Sequence, residues 1–105
     1  GVNIYPAEIE GVLGGHPLVG DVAVIGVPNE EFGEEVKAIV VPNDGVEPGD
    51  DLAATLVAHC REHLAGYKRP RSFDFVDELP RTGTGKIQKA KLRAPFWEDH
   101  DSGIL

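Results

Sequence analysis

Apolar side chains recur at helical spacing in two segments of the chain. The shorter segment, residues 6–13, begins with a proline, which suits the first turn of a helix, and two glycines follow it. In the longer segment, apolar residues recur every four positions, at Leu52, Leu56, Cys60 and Leu64. This spacing predicts a second amphipathic helix, which Asp50 or Asp51 caps and Gly66 ends.

Three further segments have the pattern of β-strands. Residues 22–27 are almost continuously apolar, as in a strand that is buried on both faces, and residues 36–41 are rich in β-branched side chains. Residues 72–77 alternate apolar and polar side chains at first, which predicts a half-buried strand. A loop rich in glycine and threonine follows, and then a short basic helix over residues 87–93, which Pro95 is expected to terminate.

The order of these elements is helix, strand, strand, helix, strand, loop and helix. It predicts one compact α+β domain over residues 1–105, with a small three-stranded sheet and helices packed on it. A chain of 105 residues can form one core but cannot enclose a sizeable substrate between two lobes. The chain also begins at Gly1 without an initiator methionine, so we expect it to be a fragment of a longer polypeptide.

Other features of the composition exclude several classes of protein. No apolar stretch approaches the roughly 20 residues of a transmembrane helix, so no membrane-spanning segment is predicted. The single cysteine, Cys60, has no partner for a disulfide, and we therefore expect a cytoplasmic protein. His59 and His63 have the helical spacing of zinc ligands, but the metalloprotease pattern requires glutamate at position 60, so we predict no metal site.

Charge is distributed unevenly along the chain, whose formal net charge is −8. Residues 1–67 carry two bases against twelve acids, whereas residues 68–93 carry eight bases against three acids. A basic patch on an acidic protein suits a compact anion, such as a nucleotide or the phosphates of a cofactor, better than a nucleic acid. We therefore predict no nucleic-acid partner, although charge alone is equally compatible with an ordinary solvated surface.

The sharpest local signal is the sequence Thr82-Gly83-Thr84-Gly85-Lys86. Its glycines let the backbone approach a ligand closely, its threonines add hydroxyl groups, and Lys86 ends it with a point charge. It is not a Walker A loop, because that motif needs glycine at position 80 and serine or threonine at position 87, where this chain has proline and isoleucine. Taken alone, the sequence also fits a polar turn before a helix.

A second basic group, Tyr67-Lys68-Arg69-Pro70-Arg71, follows the longer predicted helix. Bases at alternate positions of an extended segment can bind phosphates, and Tyr67 can stack on an adenine ring. Such runs are also common on solvated surfaces. An acidic connector at residues 29–35 holds a single aromatic residue, Phe32, which either packs against the domain or contacts a ligand.

Together, these segments resemble the C-terminal domain of the adenylate-forming superfamily, which contains acyl- and aryl-CoA synthetases, firefly luciferases and the adenylation domains of nonribosomal peptide synthetases. The resemblance covers nearly the whole chain, through GVNIYPAEIE at residues 1–10, HP at 16–17, DVAVIGVP at 21–28, FGE at 32–34, YKRP at 67–70 and LPRTGTGKI at 79–87. Several motifs in the same order are far more specific than any one of them. The ending at residues 91–97 resembles that of bacterial fatty-acyl, steroid-acid or aromatic-acid CoA ligases.

The resemblance implies an ATP-dependent acyl-CoA ligase, in which a carboxylate attacks the α-phosphate of ATP and the thiolate of coenzyme A then displaces AMP. It implies that this chain is the mobile lid, that ATP and its Mg²⁺ are bound mainly by the enzyme's own N-terminal domain, and that the fragment alone is inactive. Lys86 matches the family's catalytic lysine, which bridges the carboxylate and the phosphate oxygens, and Gly85 belongs to the same ligand-binding loop. Asn3 matches a position near the adenylate.

For the second step, the family's C-terminal domain rotates and presents another face to coenzyme A. The resemblance assigns Gly1 to the pantetheine tunnel, and it matches the other coenzyme A contacts to Phe32, Tyr67, Arg69 and Arg71. The family's hinge residue would lie upstream of Gly1. Residues 80–86 also fit a pattern at which a lysine acetyltransferase modifies some bacterial CoA ligases, here at Lys86, which would remove its charge.

The carboxylic-acid substrate is not specified by this chain, because the family's acyl pocket belongs to the N-terminal domain. A non-catalytic, stand-alone module of the same fold that binds a nucleotide or coenzyme A is the alternative that the residues leave open. The presence of Lys86 favours the ligase.

Overall fold

The computed structural model describes residues 5–31 and 33–104, with side chains described as far as Glu98. In chain order the elements are α1 (Pro6–Gly14), β1 (Val19–Asn29), β2 (Gly33–Pro42), α2 (Asp50–His63), a short 3₁₀ helix (Gly66–Lys68), β3 (Ser72–Phe75) and α3 (Lys89–Ile104). The predicted α+β class with a three-stranded sheet is confirmed. Gly1, Asn3 and Phe32, for which the family resemblance implies ligand contacts, lie outside the described residues.

β2 is the central strand of a mixed sheet in the order β1-β2-β3. β1 pairs antiparallel with β2, in a register that sets Val24 opposite Ala38. β3 pairs parallel with β2, since α2 forms the crossover between them. Within the described residues, β1 and β3 are therefore the two edge strands. No described helix has the length and the hydropathy that crossing a bilayer requires.

Successive residues of β1 point to opposite faces of the sheet and belong to two separate hydrophobic clusters. Val22 and Val24 belong to the larger cluster, which includes the apolar faces of α1 and α2. Ala23 and Ile25 belong to a smaller cluster on the opposite face, where Phe96 of α3 packs against them. β1 is thus buried on both faces, as its continuous apolar sequence predicts.

The prediction that Pro95 terminates the last helix is wrong. α3 begins at Lys89 and continues through Pro95 to Ile104. Proline removes one helical hydrogen bond, but the residues that follow it are held by the sheet. Phe96 packs against the smaller cluster, and the indole Nε1 of Trp97 donates to the carbonyl oxygen of Gly26 at 2.9 Å. These tertiary contacts outweigh the local preference of proline.

Both ends of α2 also differ from the prediction. The residue before the helix is Gly49, whose φ of +142° is a conformation that L side chains rarely adopt. Asp50 and Asp51 therefore lie in the first turn, where their charge complements the helix dipole, and make no capping hydrogen bond. The helix ends at His63 rather than at Gly66, because Leu64 already has extended backbone and is buried.

Candidate functional site

Residues 81–87, which we call the lysine loop, form a tight hairpin between β3 and α3. Arg81 and Ile87 pair across its base as an antiparallel bridge. The amide of Thr82 donates to the carbonyl of Lys86 at 2.8 Å, and the amide of Gly85 donates to the carbonyl of Thr82 at 2.9 Å. Gly85 has a φ of +92°, which explains the glycine at this position. The sequence thus forms both a turn before a helix and an exposed loop that carries a lysine.

The Lys86 side chain is exposed, and no carboxylate of the described residues lies within ion-pair distance of its ammonium. Its backbone is held, because the Lys86 amide donates to Thr82 Oγ1 at 3.2 Å. That hydroxyl also lies 2.9 Å from the hydroxyl of Thr84. A fixed backbone with an uncompensated ammonium suits a residue that meets an anion on another surface.

Other bases of the basic segment are neutralised by acids from the first part of the chain. The ion pairs are Lys68 with Glu8, Arg81 with Asp21, and Lys89 with Glu10, at 2.7, 2.5 and 2.9 Å. The hydrogen bond to Glu8 raises the pKa of Lys68. Three of the eight bases in residues 68–93 are therefore paired with acids inside the fold. Lys86 forms no ion pair with the described residues, as is also true of the exposed Lys91 and Arg93 of α3.

A second group of predicted residues meets at one cavity. Tyr67, Arg69 and Arg71 line a cavity of about 170 Å³, together with Glu34 and Glu35. Tyr67 is 56% exposed and offers its ring to solvent. The structure thus brings together three of the side chains that the family resemblance assigns to coenzyme A. The cavity contains both signs of charge, which the sequence pattern did not indicate.

The Arg69 side chain is hydrogen-bonded to the backbone of the fold. Its Nε donates to the carbonyl of Leu64 at 3.0 Å, and its Nη2 donates to the carbonyl of Arg61 at 3.2 Å. These are carbonyls at the end of α2, so Arg69 satisfies groups that the helix leaves without partners. Arg71 is exposed, and its backbone amide donates to the carbonyl of Val36 at 2.8 Å.

The lysine loop and this cavity lie at opposite ends of the sheet. Arg81 is bonded to Asp21 at the start of β1, and Asp21 is opposite Val41 in the register. Arg71 is bonded to Val36, near the start of β2. Val41 lies five positions after Val36 in β2, which is roughly 17 Å along the strand. The two groups therefore lie at separate places on the domain.

Three histidines pack together between α1 and α2. The ring of His59 lies 4.8 Å from that of His16 and 4.5 Å from that of His63, between centroids. Burial, and then the neighbouring His59, lower the pKa of His16. In the part of the chain that the structure describes, no group of three His, Cys, Asp or Glu side chains has the geometry of a metal site. The sequence pairs His59 with His63 but gives no signal for His16.

Cys60 is not available as a nucleophile. Its thiol is buried in the larger hydrophobic cluster, with 1% of its surface exposed. Burial raises the pKa of the Cys60 thiol, so the reactive thiolate is disfavoured.

The side chains that sequence reasoning missed are the acids Glu10 and Asp21, which contact the bases on either side of Lys86. The only signal for these two acids in the sequence is the unusual density of bases around the lysine loop, since closely spaced bases favour acidic partners.

Known proteins share both the sequence and the fold. The model of the AMP-binding enzyme C-terminal domain matches residues 8–86. The feruloyl-CoA synthase of an Amycolatopsis species is 54% identical over 97 residues, which are 91% of this chain and 19% of that protein. The long-chain-fatty-acid–CoA ligase of Yersinia pestis is 48% identical over 93 residues, 89% of this chain and 16% of that protein.

A solved structure gives the same result in three dimensions. The anthranilate CoA ligase AuaEII in complex with anthranoyl-AMP has a TM-score of 0.85 and 42% identity, over 91% of this chain and 19% of that one. This chain therefore spans less than a fifth of the length of each of these proteins. By sequence and by fold, the chain belongs to the AMP-binding enzyme C-terminal domain family.

Proposed function

We propose that this chain is the C-terminal lid of an ATP-dependent acyl-CoA ligase, which converts a carboxylate, ATP and coenzyme A to acyl-CoA, AMP and pyrophosphate. The observation that carries the proposal is the exposed Lys86 at the end of a hydrogen-bonded loop, without an acid partner among the described residues. Relatives that are named as CoA ligases and a neighbour bound to an acyl-adenylate support the same chemistry.

In the first step, an oxygen of the substrate carboxylate bonds to the α-phosphorus of ATP, and the bond from that phosphorus to pyrophosphate breaks. Negative charge builds up on the oxygens of the α-phosphate. The ammonium of Lys86, brought to this centre by closure of the lid on the N-terminal domain, donates hydrogen bonds to the carboxylate and phosphate oxygens and offsets that charge. Gly85 lets the backbone approach the nucleotide closely.

The described residues contain no group of three metal ligands, so we assign the Mg²⁺ that accompanies ATP to the N-terminal domain. The acyl pocket belongs to that domain as well, and the names of the relatives cover aromatic and fatty acids. This chain by itself is therefore expected to be inactive. A cytoplasmic location is part of the same proposal.

In the second step, we assign coenzyme A to the cavity between Tyr67 and Arg71. The exposed ring of Tyr67 can pack against the adenine or the pantetheine arm, and Arg71 can form forked hydrogen bonds to a phosphate. Arg69 supports the cavity through its bonds to the end of α2. Gly1, Asn3 and Phe32 stay predictions from the family resemblance.

The distance between the two groups supports two arrangements of the lid. Roughly 17 Å of strand separates them, so one orientation presents Lys86 to the adenylation centre and another presents the cavity to coenzyme A. A rotation of the domain between the half-reactions would account for both sets of residues.

Substitution of Lys86 in the full-length protein tests the assignment. Lys86→Ala is expected to reduce carboxylate-dependent exchange between ATP and pyrophosphate by about 100-fold or more, because one charged hydrogen-bond donor is lost from the transition state. Formation of the thioester from supplied acyl-adenylate should be largely unchanged. Lys91→Ala, which removes an exposed lysine five residues further on, is the matched control. Equal loss in both half-reactions would overturn the role of Lys86.

A full-length protein that shows no exchange between ATP and pyrophosphate with aromatic, fatty or steroid acids, yet binds ATP or coenzyme A, would favour the non-catalytic module.

Acetylation of Lys86 would remove the charge on which the first step depends. Treatment of the protein with a lysine acetyltransferase, followed by mass spectrometry of the peptide that contains Lys86, tests this modification. An unmodified Lys86 would count against it.

A further inference from the structure

The free edge of β1 is covered by acidic side chains. β1 is an edge strand, so alternate backbone groups have no partner strand. The amide of Val22 donates to Asp21 Oδ1 at 3.0 Å, and the amide of Val24 donates to Glu10 Oε2 at 2.9 Å. Two adjacent outward-facing amides of the strand are therefore bound by two carboxylates.

Each of these carboxylates also binds a base that flanks the lysine loop. Asp21 Oδ2 accepts from Arg81 Nη2 at 2.5 Å, and Glu10 Oε2 accepts from Lys89 Nζ at 2.9 Å. Arg81 lies five residues before Lys86, and Lys89 lies three residues after it. The two carboxylates thus connect the edge of β1 to both ends of the segment that presents the lysine.

Arg81 makes a second contact, which reaches the peptide bond before Lys86. Its Nη1 donates to the carbonyl of Gly85 at 2.7 Å. The amide on the other side of that peptide bond, which belongs to Lys86, donates to Thr82 Oγ1. A single planar guanidinium therefore joins β1 to the Gly85–Lys86 peptide, which lysine at position 81 could not do because it lacks the forked geometry.

We propose that Arg81 and Lys89 are positioning residues, which hold Lys86 at a fixed place relative to β1 through Asp21 and Glu10. This inference rests on the proposed function of Lys86. The side chains of Arg81 and Asp21 are 43% and 33% exposed, and ion pairs with this exposure contribute little to the stability of a fold. These contacts instead restrict the conformation of the lysine loop. Their loss should therefore alter the conformation of the loop more than it lowers the stability of the domain.

The first test uses the two half-reactions of the full-length protein. Arg81→Ala is expected to lower kcat of adenylation roughly 10-fold, because small displacements of a catalytic group are costly. The KM for ATP should change by less than about twofold, and thioester formation from supplied adenylate should stay as it is, since Arg81 acts through Lys86 rather than on the nucleotide. Arg81→Lys should recover part of the loss, because it keeps the charge but not the fork.

Three comparisons make the test specific. Arg93→Ala removes an exposed arginine from α3 and should leave adenylation unchanged. Asp21→Asn combined with Arg81→Ala should be no slower than Arg81→Ala alone, because the two residues act as one unit. Lys89→Ala should lower adenylation less than Arg81→Ala does, since Lys89 does not contact the loop backbone, while Lys91→Ala should have no effect.

The second test needs no catalysis. Hydrogen exchange of the peptide that covers residues 82–88 should become faster in Arg81→Ala, while exchange in the buried strand β1 stays unchanged. Unaltered adenylation together with unaltered exchange would overturn the positioning role. So would an equal slowing of both half-reactions, which would indicate general damage to the domain.

The reference variant Lys86→Ala separates this inference from the proposed function. Full adenylation by Lys86→Ala would overturn both the proposed function and the positioning role. Loss of adenylation in Lys86→Ala, but not in Arg81→Ala, would overturn the positioning role alone.

Discussion

The indole of Trp97 donates a hydrogen bond to the carbonyl oxygen of Gly26 at 2.9 Å, and so joins the second half of α3 to the free edge of β1. The two residues are separated by 71 positions in the chain. This contact lies two residues after Pro95, where the helix would otherwise be weakest. It follows that the helix beyond the proline depends on the sheet.

Removal of that hydrogen bond should loosen the end of α3. Trp97→Phe keeps an aromatic ring but cannot donate, and we expect it to lower the free energy of unfolding by about 1 kcal/mol. Urea denaturation measures the stability, and hydrogen exchange in residues 96–104 should show earlier opening. Unchanged stability together with unchanged hydrogen exchange would mean that α3 stays folded beyond Pro95 without the hydrogen bond from Trp97.

Gly85 and Gly83 offer a matched pair of substitutions in the lysine loop. Gly85→Ala is expected to strain the loop by about 1 kcal/mol, because the φ of Gly85 is +92° and side chains disfavour that region. Adenylation should fall with it, since the Gly85 carbonyl and the Lys86 amide share one peptide bond. Gly83 has no unusual φ and no atom within 4 Å of an added Cβ, so Gly83→Ala should be tolerated. Equal behaviour of the two variants in unfolding and in ATP–pyrophosphate exchange would contradict this account.

His16 should make the stability of the domain depend on pH. The pKa of His16 is lower in the folded protein than its usual 6.5, so the unfolded chain binds more protons near that pH. This contribution is fully present above about pH 6.5 and is lost as the pH falls from there through the folded-state pKa of His16. Urea denaturation at several pH values between about 5 and 8 should therefore show a free energy of unfolding that rises with pH up to about 6.5.

His16→Asn is the control for that dependence. Asparagine can still accept the hydrogen bond that the Leu18 amide donates to His16 Nδ1, but it does not titrate. The variant should lose the part of the pH slope that lies just below pH 6.5. A slope of the same size in the variant would exclude His16 as its source.

Arg71 should affect the coenzyme A step alone. Arg71→Ala in the full-length protein is expected to raise the KM for coenzyme A by about 10-fold, the loss of one charged hydrogen bond to a phosphate. Exchange between ATP and pyrophosphate should not change, because the cavity lies at the other end of the sheet from Lys86. Arg61→Ala, an exposed arginine outside the cavity, serves as the control. A slower adenylation step in Arg71→Ala would contradict the separation of the two sites.

The sequence by itself determined the local elements and the position of the loop. Periodicity reports which side of an element is buried, so the helix of Leu52 and Leu56, and the strand of residues 22–27 with both faces covered, could be predicted. The glycine at position 85 and the lysine after it indicated an exposed, tightly turned loop. The order of the motifs was enough to indicate the family to which the chain belongs.

Only the tertiary structure decided which charges remain free. Arg81 and Asp21 are 60 residues apart in the chain and meet because the loop packs beside the start of β1. Contacts at such separations depend on chain topology, which local spacing does not encode. The same reason explains why α3 runs through Pro95, why Arg69 turns towards the end of α2, and why Lys86 and the Arg71 cavity lie at opposite ends of one sheet.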